Sequence, residues 1–145
     1  MPIGILALVA AVGVGVAAAT WSYVATKRKR RTVFGGREPL AAEEIFARYY
    51  VDSGLDERVV VHLWNDCAAK LKVPAEKLRP TDRFDQELAA ADSWSSLADP
   101  REDLASYALS RAKKLGTTVD LKSPKTLNDL IRQLALREMR TSAWS

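Results

Sequence analysis

Residues 73–94, VPAEKLRPTDRFDQELAAADSW, lie between two stretches of helical period, and this long polar connection limits the fold more than any other feature of the chain. Pro74 and Pro80 bar a continuous helix through it, and Thr81, Asp82 and Asp85 favour turns by offering side-chain oxygens to nearby backbone N–H groups. Leu78, Phe84 and Leu88 supply spaced apolar anchors that can pin the connection onto a core. Connections above ~12 to 15 residues are uncommon in compact domains unless they carry function or are disordered, and anchors of this kind argue against disorder. Asp82, Asp85 and Glu87 sit close enough to hold a cation or to close short turns. Their spacing lacks the regular ligands and glycine of a calcium loop, which favours turns.

The segments on either side repeat their apolar residues every three to four positions, without alternation, which predicts an all-α domain with negligible strand. Residues 41–50, AAEEIFARYY, form a short helix with Ile45, Phe46 and Tyr49 on one face, ended by Gly54. Asp56 caps the next helix, in which Val60, Leu63, Cys67 and Leu71 share a face. Asp99 and Pro100 read as N-cap and first position of a third, carrying Leu104, Tyr107, Ala108, Arg111 and Leu115 and stopping at Gly116. A last helix opens at Ser123-Pro124 or at Thr126, with Leu127, Leu130, Ile131, Leu134 and Ala135 as its stripe. Val60, Leu63, Cys67, Phe84, Leu104, Leu130 and Ile131 are the expected core.

Upstream, residues 3–26 hold no charge and are long enough to cross ~30 Å of hydrocarbon at 1.5 Å per residue, which predicts a single transmembrane helix. Lys27, Arg28, Lys29, Arg30 and Arg31 follow it, and the positive-inside rule then orients the carboxyl side to the cytoplasm as a single-pass membrane protein. Attraction of the same run to anionic lipid is a further expectation. Gly13 and Ala17 are small residues four apart, the spacing of a transmembrane helix dimer. Residues 32–40, TVFGGREPL, read as a linker. The expected organisation is a transmembrane helix over 1–26, a basic linker over 27–39 and a helical domain over 40–145.

Of 22 Lys and Arg, five lie in the run at 27–31, leaving 17 against 18 acids, so the net charge of +4 is one local run and not a basic domain face. A nucleic-acid surface is not indicated. Cys67 is the only cysteine, which excludes an intrachain disulfide or multi-cysteine zinc site. His62 and Cys67 are five apart on a helix and diverge, whereas His62 and Asp66 share a face. The expectation is a surface His–Asp pair and a packing cysteine, with no catalytic residue and no metal ligand. No phosphate loop, HExxH or motif-placed Ser/His/Asp set is present, and the chain is not expected to be an enzyme.

One further set of residues carries a resemblance. Val73-Pro74, Glu76-Lys77-Leu78, Thr81-Asp82-Arg83-Phe84, Glu87-Leu88 and Asp92-Ser93 follow one another in the order of the region that joins the first helix of acyl carrier proteins to their prosthetic-group serine. VDLKSPKTLNDLIRQL, residues 119–134, resembles the end of such domains. The resemblance implies a small acyl-carrier-like bundle behind the anchor, with Phe84 and Leu88 as loop anchors, Asp92 as the acid before the serine, and Ser93 as the position that bears phosphopantetheine. Around that position the chain reads LAAADSWSSL, where the family has GxDSL, with no glycine and with Trp94 for leucine. The implied function is a membrane-tethered interaction or regulatory module without a prosthetic group, with Trp94, Phe84 and Leu88 as contacts to an unidentified protein partner. The alternative is a membrane-anchored carrier modified on Ser93.

Overall fold

The computed structural model describes residues 20–21, 24–25, 27–91 and 100–143. Four α-helices form the body: α1, Ala42–Tyr49; α2, Glu57–Leu71; α3, Pro100–Lys114; and α4, Leu127–Ser142. Short 3-10 turns at Ala75–Lys77 and Leu88–Ala91 punctuate the long connection, and a π turn, Arg31–Gly35, precedes α1. Among the described residues there is no strand; Arg83 and Thr126 make an isolated antiparallel bridge.

α2 is the central helix, packed against α1, α3 and α4. Asp56 starts it by accepting the Val59 N–H at 3.2 Å. It ends where Lys72 takes up a left-handed φ of 54°, while Lys72 and Val73 donate their N–H groups to Ala69 and Ala68. Gly116 closes α3 in the same way, with φ 63° and the Gly116 and Thr117 N–H groups on Lys113 and Ala112, a conformation that a residue without Cβ adopts at little cost. α4 starts in a capping box in which Thr126 accepts from the Asp129 N–H and the Asp129 carboxylate accepts from the Thr126 N–H.

The core is built from Val60, Leu63, Trp64, Cys67 and Leu71 of α2, Leu104 and Ala108 of α3, and Leu127, Leu130, Ile131, Leu134 and Ala135 of α4. Phe84, expected inside, is half-buried and packs on the edge of this cluster. In α1 the buried ring is that of Tyr50, not Tyr49. The helix stops at Tyr49, so extrapolating its period fails there: Tyr50, in the cap, turns inward and stacks on Phe46 at 6.3 Å, leaving Tyr49 45% exposed.

The region before α1 departs most from expectation. The transmembrane helix over 3–26, and with it the single-pass localisation and cytoplasmic orientation read from Lys27, Arg28, Lys29, Arg30 and Arg31, is corrected: no helix among the described residues is long and apolar enough to cross a membrane. The described helical residues of this region run into five consecutive cations, which ends any apolar span there. Residues 1–19, and so the Gly13 and Ala17 pair, lie outside the described residues. The stretch expected as a linker folds onto the domain. Phe34 and Leu40 are buried in the core, and Arg30 donates to the Lys72 carbonyl at the end of α2.

Tyr50 is fully buried, yet its hydroxyl has no hydrogen-bond partner among the described residues. An unsatisfied buried hydroxyl costs ~1 to 3 kcal/mol. Tyr50→Phe should therefore leave stability unchanged or raise it by about 1 kcal/mol in urea denaturation, and a loss of that size would show a partner for the hydroxyl.

Candidate functional site

A buried carboxylate sits at the centre of the long connection, which Leu78 and Leu88 also anchor in the core. The Asp82 carboxylate is 2% exposed and accepts both guanidinium nitrogens of Arg37, at 2.7 and 2.8 Å, together with the Arg79 N–H at 2.8 Å. This two-pronged pairing raises the Arg37 pKa above its ordinary value, although burial works the other way. Arg37 is fixed in turn. It donates to the Lys77 carbonyl at 2.9 Å, its own carbonyl accepts from the Lys77 ammonium at 2.5 Å, and its guanidinium lies 5.2 Å from the Phe34 ring centre.

The backbone of the same turn is laced to the start of α4. Pro80 accepts from the Asn128 N–H at 3.0 Å, Asp82 from the Leu127 N–H at 2.9 Å, and Phe84 donates to the Lys125 carbonyl at 3.1 Å. The first of these orphan helix N–H groups find their partners in the loop instead of in water. Asp85 and Glu87 complete the turn through Arg83. Asp85 pairs with Arg83 at 2.9 and 3.0 Å, and Glu87 accepts the Arg83 N–H at 2.9 Å.

Phe84 leaves this turn as one wall of a pocket of ≈ 160 Å³, whose other walls are Leu104 and Ala105 of α3, Leu121 and Pro124 of the connection into α4, and Leu130 of α4; Arg101 also lines it. An apolar cavity of roughly 150 Å³ takes a benzene ring, so one aromatic or branched aliphatic side chain fits here. The pocket is the largely apolar concavity expected of a recognition site on a small scale. Leu88, the other loop residue assigned to partner contact, is fully buried and anchors the loop from inside. Asp92, Ser93 and Trp94 lie outside the described residues.

The remaining polar cluster lies on the far edge of α2. His62 is 3.3 Å from Asp66, which also accepts the Tyr107 hydroxyl at 2.6 Å, and Arg111 approaches Asp66 at 3.5 Å while gripping Glu138 at 2.8 Å. This network ties α2, α3 and α4 together. Cys67, next to Asp66 in sequence, is fully buried, and burial above all pushes its thiol up to about 12, which removes the thiolate a nucleophile needs. No group of three or more His, Cys, Asp or Glu among the described residues could hold a metal ion.

Sequence reasoning located Asp82 and Phe84 but missed Arg37, Leu121 and Pro124. Arg37 stands in GGREPL, where nothing in the local pattern separates it from the other basic residues. Comparison with protein families, with curated proteins and with solved structures finds no match to the chain. The likeness to carrier domains therefore rests on the residues quoted from the sequence.

Three carboxylates of the site, Asp85, Glu87 and Asp129, titrate below their ordinary range, Asp85 through its side-chain bond with Arg83. For Asp129, burial opposes ionisation, but the Thr126 and Lys125 N–H groups, each at 3.0 Å, outweigh it; for Glu87, the Arg83 N–H and its own do the work. A carboxyl with a lower pKa folded than unfolded stabilises the fold above its unfolded pKa of about 4, and loses that contribution as pH falls towards the folded value. The urea midpoint should stay level from pH 7 to about 5 and drop below about 4, with a shallower drop in Asp129→Asn. A midpoint that rises on acidification would contradict these assignments.

Proposed function

We propose that the chain is a carrier-like interaction module that works without a prosthetic group and takes an apolar side chain of a protein partner into the Phe84 pocket. The pocket carries the reading. It is largely apolar, with Arg101 of α3 as its charged member, it has room for one side chain, and its loop wall is fixed by hydrogen bonds before any partner arrives. A preformed pocket of this kind suits anchoring by a single aromatic or aliphatic residue, because little ordering entropy is lost on binding. The order of helix, long anchored loop and helix supports the carrier likeness. The absence of the motif glycine and the presence of Trp94 beside Ser93 support a module that has no phosphopantetheine. Trp94, in the connection leading into α3, adds an aromatic residue to the contact surface in this reading.

The proposed role assigns no catalytic residue. The ionisable groups brought together by the fold pair with one another, as Arg37 does with Asp82 and Arg111 with Glu138, and these pairs position elements of the bundle.

Two measurements on the full chain test the proposal. The intact mass of protein from its native host should equal that of the sequence and be unchanged apart from the lost oxygen in Ser93→Ala. Indole, as a surrogate for an aromatic side chain, should shift the NMR signals of Leu104, Ala105 and Leu130, and Phe84→Ala should weaken its binding about tenfold, the order expected from losing one large apolar wall. A phosphopantetheine mass addition that Ser93→Ala abolishes would establish the carrier alternative instead. Indole shifts absent from the pocket residues would remove the pocket as the contact site.

A further inference from the structure

The pocket wall and the chain before α1 meet at Asp82. We propose that residues 34–40 act as a strap that regulates the pocket: docking of Arg37 on Asp82 holds the Phe84 wall in place, so that releasing the strap and losing the pocket are one transition. This rests on the reading of the pocket as the partner site and assigns its control.

The strap is attached at its two ends by apolar residues and between them by polar bonds. Phe34 and Leu40 enter the core, Leu40 donates its N–H to the Glu76 carbonyl at 3.0 Å, Arg79 donates to the Glu38 carbonyl, and Arg37 joins Lys77 and Asp82. Between its two apolar plugs the strap is held mainly by polar bonds, with Glu38 and Pro39 exposed. A segment secured in this way opens at lower free energy than a core helix.

Opening has a consequence inside the domain. Without Arg37 the Asp82 carboxylate is left with the Arg79 N–H as its named partner in a site where its side chain is 2% exposed. A buried carboxylate that loses its cation is relieved by reaching water, and residues 79–84 must move outward for that to happen. The same turn carries the Asp82 carbonyl that accepts from Leu127 and the Phe84 N–H that bonds to Lys125, so outward movement breaks both and withdraws the Phe84 wall from the pocket it lines with Leu104 and Leu130. The two arrangements are discrete, because each forms or loses the charge pair and the helix-end bonds together. Linkage then requires the converse: a group seated in the pocket holds the strap down.

The test uses the full chain, indole as the probe, and hydrogen exchange with NMR shifts as readouts. In the natural sequence, saturating indole should slow exchange of the Leu40 amide, which lies on the strap and outside the pocket, about fivefold or more, the lower end of common coupling factors. Arg37→Lys keeps a cation but loses the paired fork, and should weaken indole binding by the same order while speeding exchange at Leu127. Val60→Ala, a core change in α2 outside strap and pocket, should lower stability while leaving indole affinity within about twofold. Unchanged Leu40 exchange with indole bound, or Arg37→Lys binding indole as the natural sequence does, would overturn the strap while leaving the pocket reading intact. Failure of indole to shift Leu104 and Leu130 in the natural sequence would overturn the pocket reading and the strap with it.

Discussion

A carboxylate buried to 2% exposure requires that its charge be met, and in this protein the answer to that requirement joins the chain before α1, the turn at residues 79–84 and the start of α4. Asp82 draws Arg37 from the chain before α1, takes the N–H of Arg79 to close its own turn, and through its carbonyl receives Leu127 at the start of α4. Buried pairs of this kind often add little net stability, since desolvation offsets attraction. What they add is register. Neither the docking of the N-terminal segment nor the placement of Phe84 is specified by apolar contact alone, and a shift of either would strand a charge.

The helices were legible because their signals are local. Asp56, Gly116 and the Thr126–Asp129 box are caps that sequence spacing displays, and the faces built on Leu63 and Leu130 follow from a 3.6-residue repeat. The folded state of residues 34–40 was not legible. Phe34 and Leu40 are single apolar residues in a Gly-Pro-containing stretch, and their burial depends on contacts that cross some forty positions of chain. The same holds for Arg37, whose partner is 45 residues away. Tyr49 and Tyr50 show a smaller failure of the same sort, where a helix end reverses which of two neighbouring rings faces inward.

The candidate site was half legible. Turn-forming residues and spaced anchors singled out the connection, and Phe84 lines a pocket there. Its remaining walls come from α3, α4 and the approach to α4, and no linear motif announces that convergence. The apolar run at 3–26 was over-read in the opposite direction. Hydropathy over a window of charge-free residues supports a span, but no described helix is long and apolar enough to cross a membrane, and among the basic residues that follow the run Arg30 reaches the end of α2. The proposed reading rests on a largely apolar pocket whose Phe84 wall belongs to the turn held by the Arg37–Asp82 pair.

The coupling between Arg37 and Asp82 tests that account most directly. A double-mutant cycle of Arg37→Ala, Asp82→Ala and the pair, followed by urea denaturation, isolates their interaction from the rest of the fold. A buried, doubly bonded pair at the hub of the connection predicts a coupling energy of about 1.5 to 3 kcal/mol, with the double variant less destabilised than the single changes sum to. A coupling below about 0.5 kcal/mol, the level of an exposed surface pair, would contradict the claim that this contact holds the loop and its pocket in place.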